Sequence, residues 1–176
     1  TLPVPAYFDI DAASPSDQEG YTATPVRIGY NEMLRFPGEE DDLFVLPSDD
    51  FQLKRLVADR KLILCGVEVP HNRGLDGHSD ADVALHALMD ALLGALGLGD
   101  IGKHFPDSDP QYRGISSLKL LERVMEMLYI RQWRVVNVDI TIVAQRPKLA
   151  PYINDMRSIV ASMLRVNCNC VNIKAT

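Results

Sequence analysis

Between Gly74 and Gly102 the chain reads GLDGHSDADVALHALMDALLGALGLGDIG, an apolar helical run that carries two histidines, a series of aspartates and a glycine-rich exit. Asp82, His86 and Asp90 fall at i, i+4 and i+8, so they share one helix face. An imidazole with a carboxylate one turn away is oriented and made more basic, which is what a metal-ligating histidine needs. A structural histidine flanked by solvent-facing aspartates has the same spacing. His78 precedes the expected start of the helix, with Ser79 and Asp80 as candidate N-caps. There its ring and the free helix amides could face an anion, or it could be an ordinary loop histidine. After the helix, GDIGKHFPDSD (99–109) places Asp100, Asp107 and Asp109 in a turn-rich loop. A carboxylate such as Asp100 suits a ribose diol, and Gly99 and Gly102 let backbone approach a ligand closely; a solvated loop is the alternative. AQRPKLAP (144–151) leaves a strand for a helix, exposing amides and carbonyls that can read a base edge, with Lys148 near a phosphate or base. Together these residues suggest a site for a metal, a diphosphate and a nucleoside.

The elements that must position them alternate. PVRIGY (25–30) reads as a strand, 49–60 as a short helix, and KLILCGVEVP (61–70) as one strand ended by Pro70. Helices are expected over 79–96, 115–132 and 150–164, with Gly97 and Gly99 closing the first, Ser116 or Ser117 capping the second and Pro151 opening the third. Strands are expected over 133–145 and 168–176. The second would place Cys168 and Cys170 on one face, either as a metal pair or as two small apolar residues. Strands alternating with helices predict an α/β or α+β fold, a mixed sheet with helices on one face. Residues 1–25 read as a partly ordered extension, and 26–176 as a single domain with an acidic insertion at 36–60.

Composition narrows the function. The 176 residues carry a net charge of −6 and no basic patch with interleaved aromatics, which argues against nucleic acid. No apolar run approaches the roughly 18 residues a membrane helix needs. The three cysteines, Cys65, Cys168 and Cys170, make no disulfide framework and suit a reducing compartment.

GHSDADVALHALMDALLGALGLGDIGKHFPDSDP resembles the signature region of the 2-C-methyl-D-erythritol 2,4-cyclodiphosphate synthase family of the non-mevalonate isoprenoid pathway. The likeness continues through NVDITIVAQRPKLAPYI to VNIKAT and adds RIGY at 27–30. It implies a phosphorus–oxygen lyase that converts 4-diphosphocytidyl-2-C-methyl-D-erythritol 2-phosphate into the 2,4-cyclodiphosphate and CMP. It also implies a homotrimer with strands around a central axis, zinc, and a second cation such as magnesium at the diphosphate. The apolar face of Val136, Val138, Ile140 and Ile142 is expected to supply trimer contact. By the same resemblance His86 is a zinc ligand, and His78 and Ser79 contact substrate phosphate, with His78 catalytic. Asp100, Ile101 and Gly102 form the ribose-side loop. Phe105, Pro106, Asp107, Ser108 and Asp109 line the methylerythritol pocket. Ala144, Gln145, Arg146, Pro147, Lys148, Leu149 and Ala150 form the cytosine-reading turn, and Thr176 lies near the phosphates.

The sequence also departs from that family. RIGY should be followed by a Gly-aromatic-Asp-x-His segment bearing the other two zinc ligands; here Tyr30 is followed by NEMLRF. The threonines and glutamate expected beyond Thr176 are missing too, so the C-terminus reads as incomplete. A segment missing between Tyr30 and Asn31 is the favoured explanation, with decay of the enzyme as its rival. The extension and insertion point to a plastid-type protein, with a bacterial cytoplasmic one as alternative. A non-catalytic trimer binding nucleotide or isoprenoid diphosphate, and a metal-dependent phosphohydrolase, are the competing functions.

Overall fold

A computed structural model describes residues 56–142, 144 and 146–175. Four short strands come first: β1 (Leu56–Ala58), β2 (Leu62–Leu64), β3 (Val67–Val69) and β4 (Arg73–Leu75). They are followed by α1 (Val83–Ala95), α2 (Ile101–His104), α3 (Ser117–Ile130), β5 (Val138–Ile142), α4 (Ile153–Leu164) and β6 (Val171–Ala175). The expected strand at 25–30, the junction after Tyr30, Gln145 and Thr176 lie outside the described residues.

The α/β class holds, but several elements differ from their sequence-based expectation. Residues 56–58 are strand rather than the end of a helix, paired antiparallel with β4 as Leu56↔Leu75 and Ala58↔Arg73. The run at 61–70 is a hairpin, because Cys65 (φ 49) and Gly66 (φ 78) turn the chain through the left-handed region. Among the described residues the strands form three two-stranded ladders, β1–β4, β2–β3 and the parallel pair β5–β6, rather than one mixed sheet. Cys168 and Cys170 lie on a short 3-10 turn before β6, so they do not share a strand face.

The helices end as their sequences dictate. Past α1, Gly97 adopts φ 66 and its N–H donates to Gly94 O at 3.0 Å, while Leu98 N–H donates to Leu93 O at 2.9 Å. That double bond satisfies carbonyls the helix leaves open. Ser116 caps α3 through Leu118 N–H, as its position predicts.

The core lies between these helices and the ladders. Leu85, Leu88, Met89 and Leu93 of α1 share one buried cluster with Leu121 and Val124 of α3, Met156 and Val160 of α4, and Ile140 of β5. On β5, Val138, Ile140 and Ile142 face this core. They therefore pack inside the chain rather than presenting the apolar face that the family resemblance implied for trimer contact. Val136 precedes the strand and is exposed, and the residues alternating with the buried ones are polar: Asp139 accepts from Asn172 Nδ2 at 2.9 Å and Lys174 Nζ at 2.6 Å. Among the described residues no helix is long and apolar enough to cross a membrane.

Candidate functional site

The loop 76–82 links β4 to α1 and is shaped by polar side chains. Neither Ser79 nor Asp80 caps the helix. Ala81 takes the left-handed conformation at φ 59, which delays the helix until Val83 and leaves the cap to Asp82. A non-glycine residue held there stores of the order of 1 kcal/mol of strain. Asp82 is fully buried. Its Oδ1 accepts from Cys65 N–H at 3.0 Å and Leu85 N–H at 3.1 Å, and its Oδ2 accepts from Gly66 N–H at 2.7 Å. One carboxyl thus ties the β2–β3 turn to the start of α1. Burial pushes the Asp82 carboxyl up to about 7, against the downward pull of those three amides. Burial also raises the Cys65 thiol well above its ordinary value.

His86, on the first turns of α1, faces hydroxyls. Its Nε2 lies 3.1 Å from both Ser79 Oγ and Ser117 Oγ. The single proton of Ser117 Oγ is donated to Asp80 Oδ1, and Asp80 Oδ2 accepts Ser117 N–H at 3.0 Å. Ser117 can therefore only accept from the ring, which puts the imidazole proton on Nε2. A neutral ring with its proton on Nε2 has Nδ1 as its acceptor nitrogen. Ser79 Oγ also accepts from Ala81 N–H at 3.0 Å, and its hydroxyl keeps one proton to donate. Ser79 is buried, while the side chain of His78 beside it is exposed. A hydroxyl donor next to an exposed imidazole can stabilise an anion such as a phosphate.

The expected role of Asp82 and Asp90 in orienting His86 needs correction. Asp82 is committed to three backbone amides, and Asp90 Oδ1 accepts Ile101 N–H at 2.8 Å. Asp90 instead docks the 99–102 loop onto α1; burial raises its carboxyl from the usual value. The hydroxyls of Ser79 and Ser117 meet the ring at Nε2.

Three comparisons place this geometry among known proteins. The model of the YgbB family matches residues 49–176. The chain belongs to the YgbB family. It is 58% identical over 126 residues to a 2-C-methyl-D-erythritol 2,4-cyclodiphosphate synthase of Syntrophotalea carbinolica, covering 72% of this chain and 77% of the relative. The synthase of Clostridioides difficile is 54% identical over 126 residues, covering 72% and 78%. Among solved structures, a 2C-methyl-D-erythritol-2,4-cyclodiphosphate synthase in its CDP-bound form matches at TM-score 0.66 and 37% identity, covering 69% of this chain and 81% of that one. The CDP complex of IspF from Plasmodium falciparum matches at TM-score 0.57 and 29% identity, covering 69% and 72%.

In this YgbB-family chain the expected site residues fall into three groups. His78, Ser79 and His86 form one cluster through the Ser79–His86 contact. Asp100, Ile101 and Gly102 open α2, where Asp100 Oδ1 caps the helix by accepting Lys103 N–H at 2.9 Å. Pro106, Asp107 and Ser108 are exposed. Asp109 caps the 3-10 turn at Pro110–Tyr112 through Gln111 N–H at 3.0 Å. Phe105 is buried edge-on against Tyr112, their ring centroids 5.5 Å apart, so its ring belongs to the core rather than to an open pocket wall. Along the third group, Arg146, Lys148 and Ala150 are exposed, Ala144 and Pro147 half-buried and Leu149 buried; the Arg146–Pro147 bond is cis.

A metal needs more than these residues supply. His86 offers one imidazole, whereas a zinc site takes at least three protein ligands. Among the described residues no three His, Cys, Asp or Glu side chains gather as a metal site. The described set does not fit a closed metal centre by itself. Sequence reasoning missed Ser117 as a partner of His86 and Asp80 as the acceptor that orients Ser117. Both stood in polar caps, GHSDAD and ISSL, but a contact spanning 31 residues has no local signature.

Proposed function

We propose that this chain is a phosphorus–oxygen lyase of isoprenoid biosynthesis that converts 4-diphosphocytidyl-2-C-methyl-D-erythritol 2-phosphate into 2-C-methyl-D-erythritol 2,4-cyclodiphosphate and CMP. The reaction is intramolecular. An oxygen of the 2-phosphate attacks the β-phosphorus, the bond from that phosphorus to the bridging oxygen breaks, and CMP leaves with the bridging oxygen and its electron pair. The substrate carries its own nucleophile, so the protein has to hold two anionic groups in line and offset their charge. The observation that carries this reading is the 58% identity over 126 residues to a curated synthase, joined to a loop that sets the Ser79 hydroxyl beside the exposed His78.

His78 and Ser79 would meet the phosphates, Asp100 the ribose, and the 144–150 turn with Lys148 the cytosine. CDP-bound structures of the family support a CDP-linked ligand. His86 would give one ligand to a divalent metal through Nδ1, with further donors from outside the described residues. Zinc there, magnesium at the diphosphate and a homotrimer are the assignments the family resemblance favours.

A single-turnover assay tests the reading. The expected result is stoichiometric CMP with a cyclic diphosphate by phosphorus NMR. His78→Ala should slow the chemical step by on the order of 10²-fold, as removal of one transition-state donor does. CMP with an open product would make the chain a hydrolase, and CDP binding without turnover would make it a non-catalytic homologue.

A further inference from the structure

Arg60 lies between β1 and β2, yet its guanidinium is spent on the phosphate-facing loop. Nη1 donates to Gly77 O at 2.6 Å and Nη2 donates to Ser79 O at 2.8 Å. These carbonyls belong to the peptide groups immediately before His78 and immediately after Ser79. The fork therefore brackets the two residues whose side chains face the ligand. Asp76 Oδ1 lies 3.8 Å from Nη1 and adds a weak, solvent-screened attraction.

The opposite edge of the loop is tied by backbone bonds and by the Asp80 carboxylate, which accepts from Ser117. His78 O accepts Gly114 N–H at 2.6 Å, and Asp80 N–H donates to Ile115 O at 3.0 Å. Arg60 supplies the side-chain donors to Gly77 O and Ser79 O. The approach of Arg60 depends in turn on Gly74. A Cβ there would collide with the carbonyl of Lys61 and crowd that of Arg60, so the missing side chain lets the 60–61 backbone cross β4.

We propose that Arg60 is a positioning residue, holding the peptide groups that flank His78 and Ser79 so that imidazole and hydroxyl are presented together to substrate phosphate. The proposal rests on the reading of these two residues as phosphate contacts. A planar guanidinium with two parallel N–H donors suits two carbonyls a few ångströms apart; the single ammonium of lysine does not reproduce that fork.

The test compares Arg60→Ala and Arg60→Lys with wild type in the full chain, by residue-resolved amide hydrogen exchange and by single-turnover CMP release. Two charged-donor hydrogen bonds are lost, so exchange at the Asp80 and Gly114 amides should rise at least about tenfold in Arg60→Ala, while the Leu88 and Met89 amides in α1 stay unchanged. The rate constant for CMP release should fall by at least about tenfold with a much smaller change in KM, because loop order affects presentation more than capture. Dilute guanidinium should restore part of both effects in Arg60→Ala, and methylammonium should not. Arg60→Lys should fall between the two. Unchanged exchange at Asp80 and Gly114 would overturn the proposal even if activity fell, since Arg60 would then act on the ligand itself. Faster exchange extending to Leu88 would overturn it as well, by showing a general loss of stability. Should wild type release no CMP, the proposed function fails, and the exchange measurements still decide whether Arg60 holds the loop.

Discussion

The 60–86 region and the β5–α4–β6 unit are held together by different means. Around the loop, side-chain polar groups reach backbone: Arg60 to two carbonyls, Asp82 to three amides, Asp80 to Ser117. In β5–α4–β6, Val138, Ile140, Ile142, Val160, Leu164, Val171 and Ile173 bury apolar surface, and the charged pair Asp139–Lys174 lies on the outer face. Directional bonds fix individual atoms, whereas apolar packing tolerates small shifts as long as volume is filled. A site that must present one hydroxyl and one imidazole at a set distance needs the first kind; a scaffold needs only the second.

The sharpest way to break that contrast is Asp82. Asp82→Ala at pH 5 leaves three buried amides without their acceptor, each costing about 1–3 kcal/mol, so a loss of more than about 3 kcal/mol in unfolding free energy is expected from denaturant titration. The same residue predicts a pH dependence. Its folded carboxyl is raised from 3.8 to about 7, so the folded state binds the proton more tightly than the unfolded state. Stability from this group is complete below about pH 4 and is lost as pH rises to 7, by up to about 4 kcal/mol. The stability advantage of wild type over Asp82→Asn should therefore narrow from pH 4 to pH 7. A gap that widened instead would mean the amides outweigh burial and keep the group ionised.

In the scaffold, Ile140→Ala should cost about 2–5 kcal/mol through lost burial and a residual cavity. Its effect on turnover should follow the folded fraction alone, measured by assaying well below the melting midpoint. Rate loss exceeding the unfolded fraction would show that β5 packing reaches the site. The smallest effect is expected for Lys174→Ala. Its pair with Asp139 is exposed, with side chains 50% and 29% accessible, and should contribute at most about 0.5 kcal/mol, fading in high salt.

Much of this was legible in the chain itself. The 3.6-residue period of α1 and α3, the Ser116 cap, the Gly97 exit and the GHSDAD…DIG segment all express local rules, in which each residue's preference is decided by neighbours within a turn or two. The family resemblance drew on the same segment. Other features followed from contacts distant in sequence. The 61–70 run is apolar enough for one strand, and it became a hairpin because the Asp82 carboxylate receives the Cys65 and Gly66 amides from 17 and 16 residues away. Asp82 and Asp90 looked like partners for His86 on helical spacing, but each found a backbone amide to cap, a stronger use of a partly or fully buried carboxylate. Arg60 carried no motif at all. Its role arises because Gly74 lets two backbone segments cross, bringing a guanidinium to carbonyls 17 and 19 residues further on. Side-chain type and spacing thus determined which chemistry this protein carries, and only the tertiary fold decided which polar group meets which, because hydrogen bonds depend on distance and direction between segments that sequence order does not bring together.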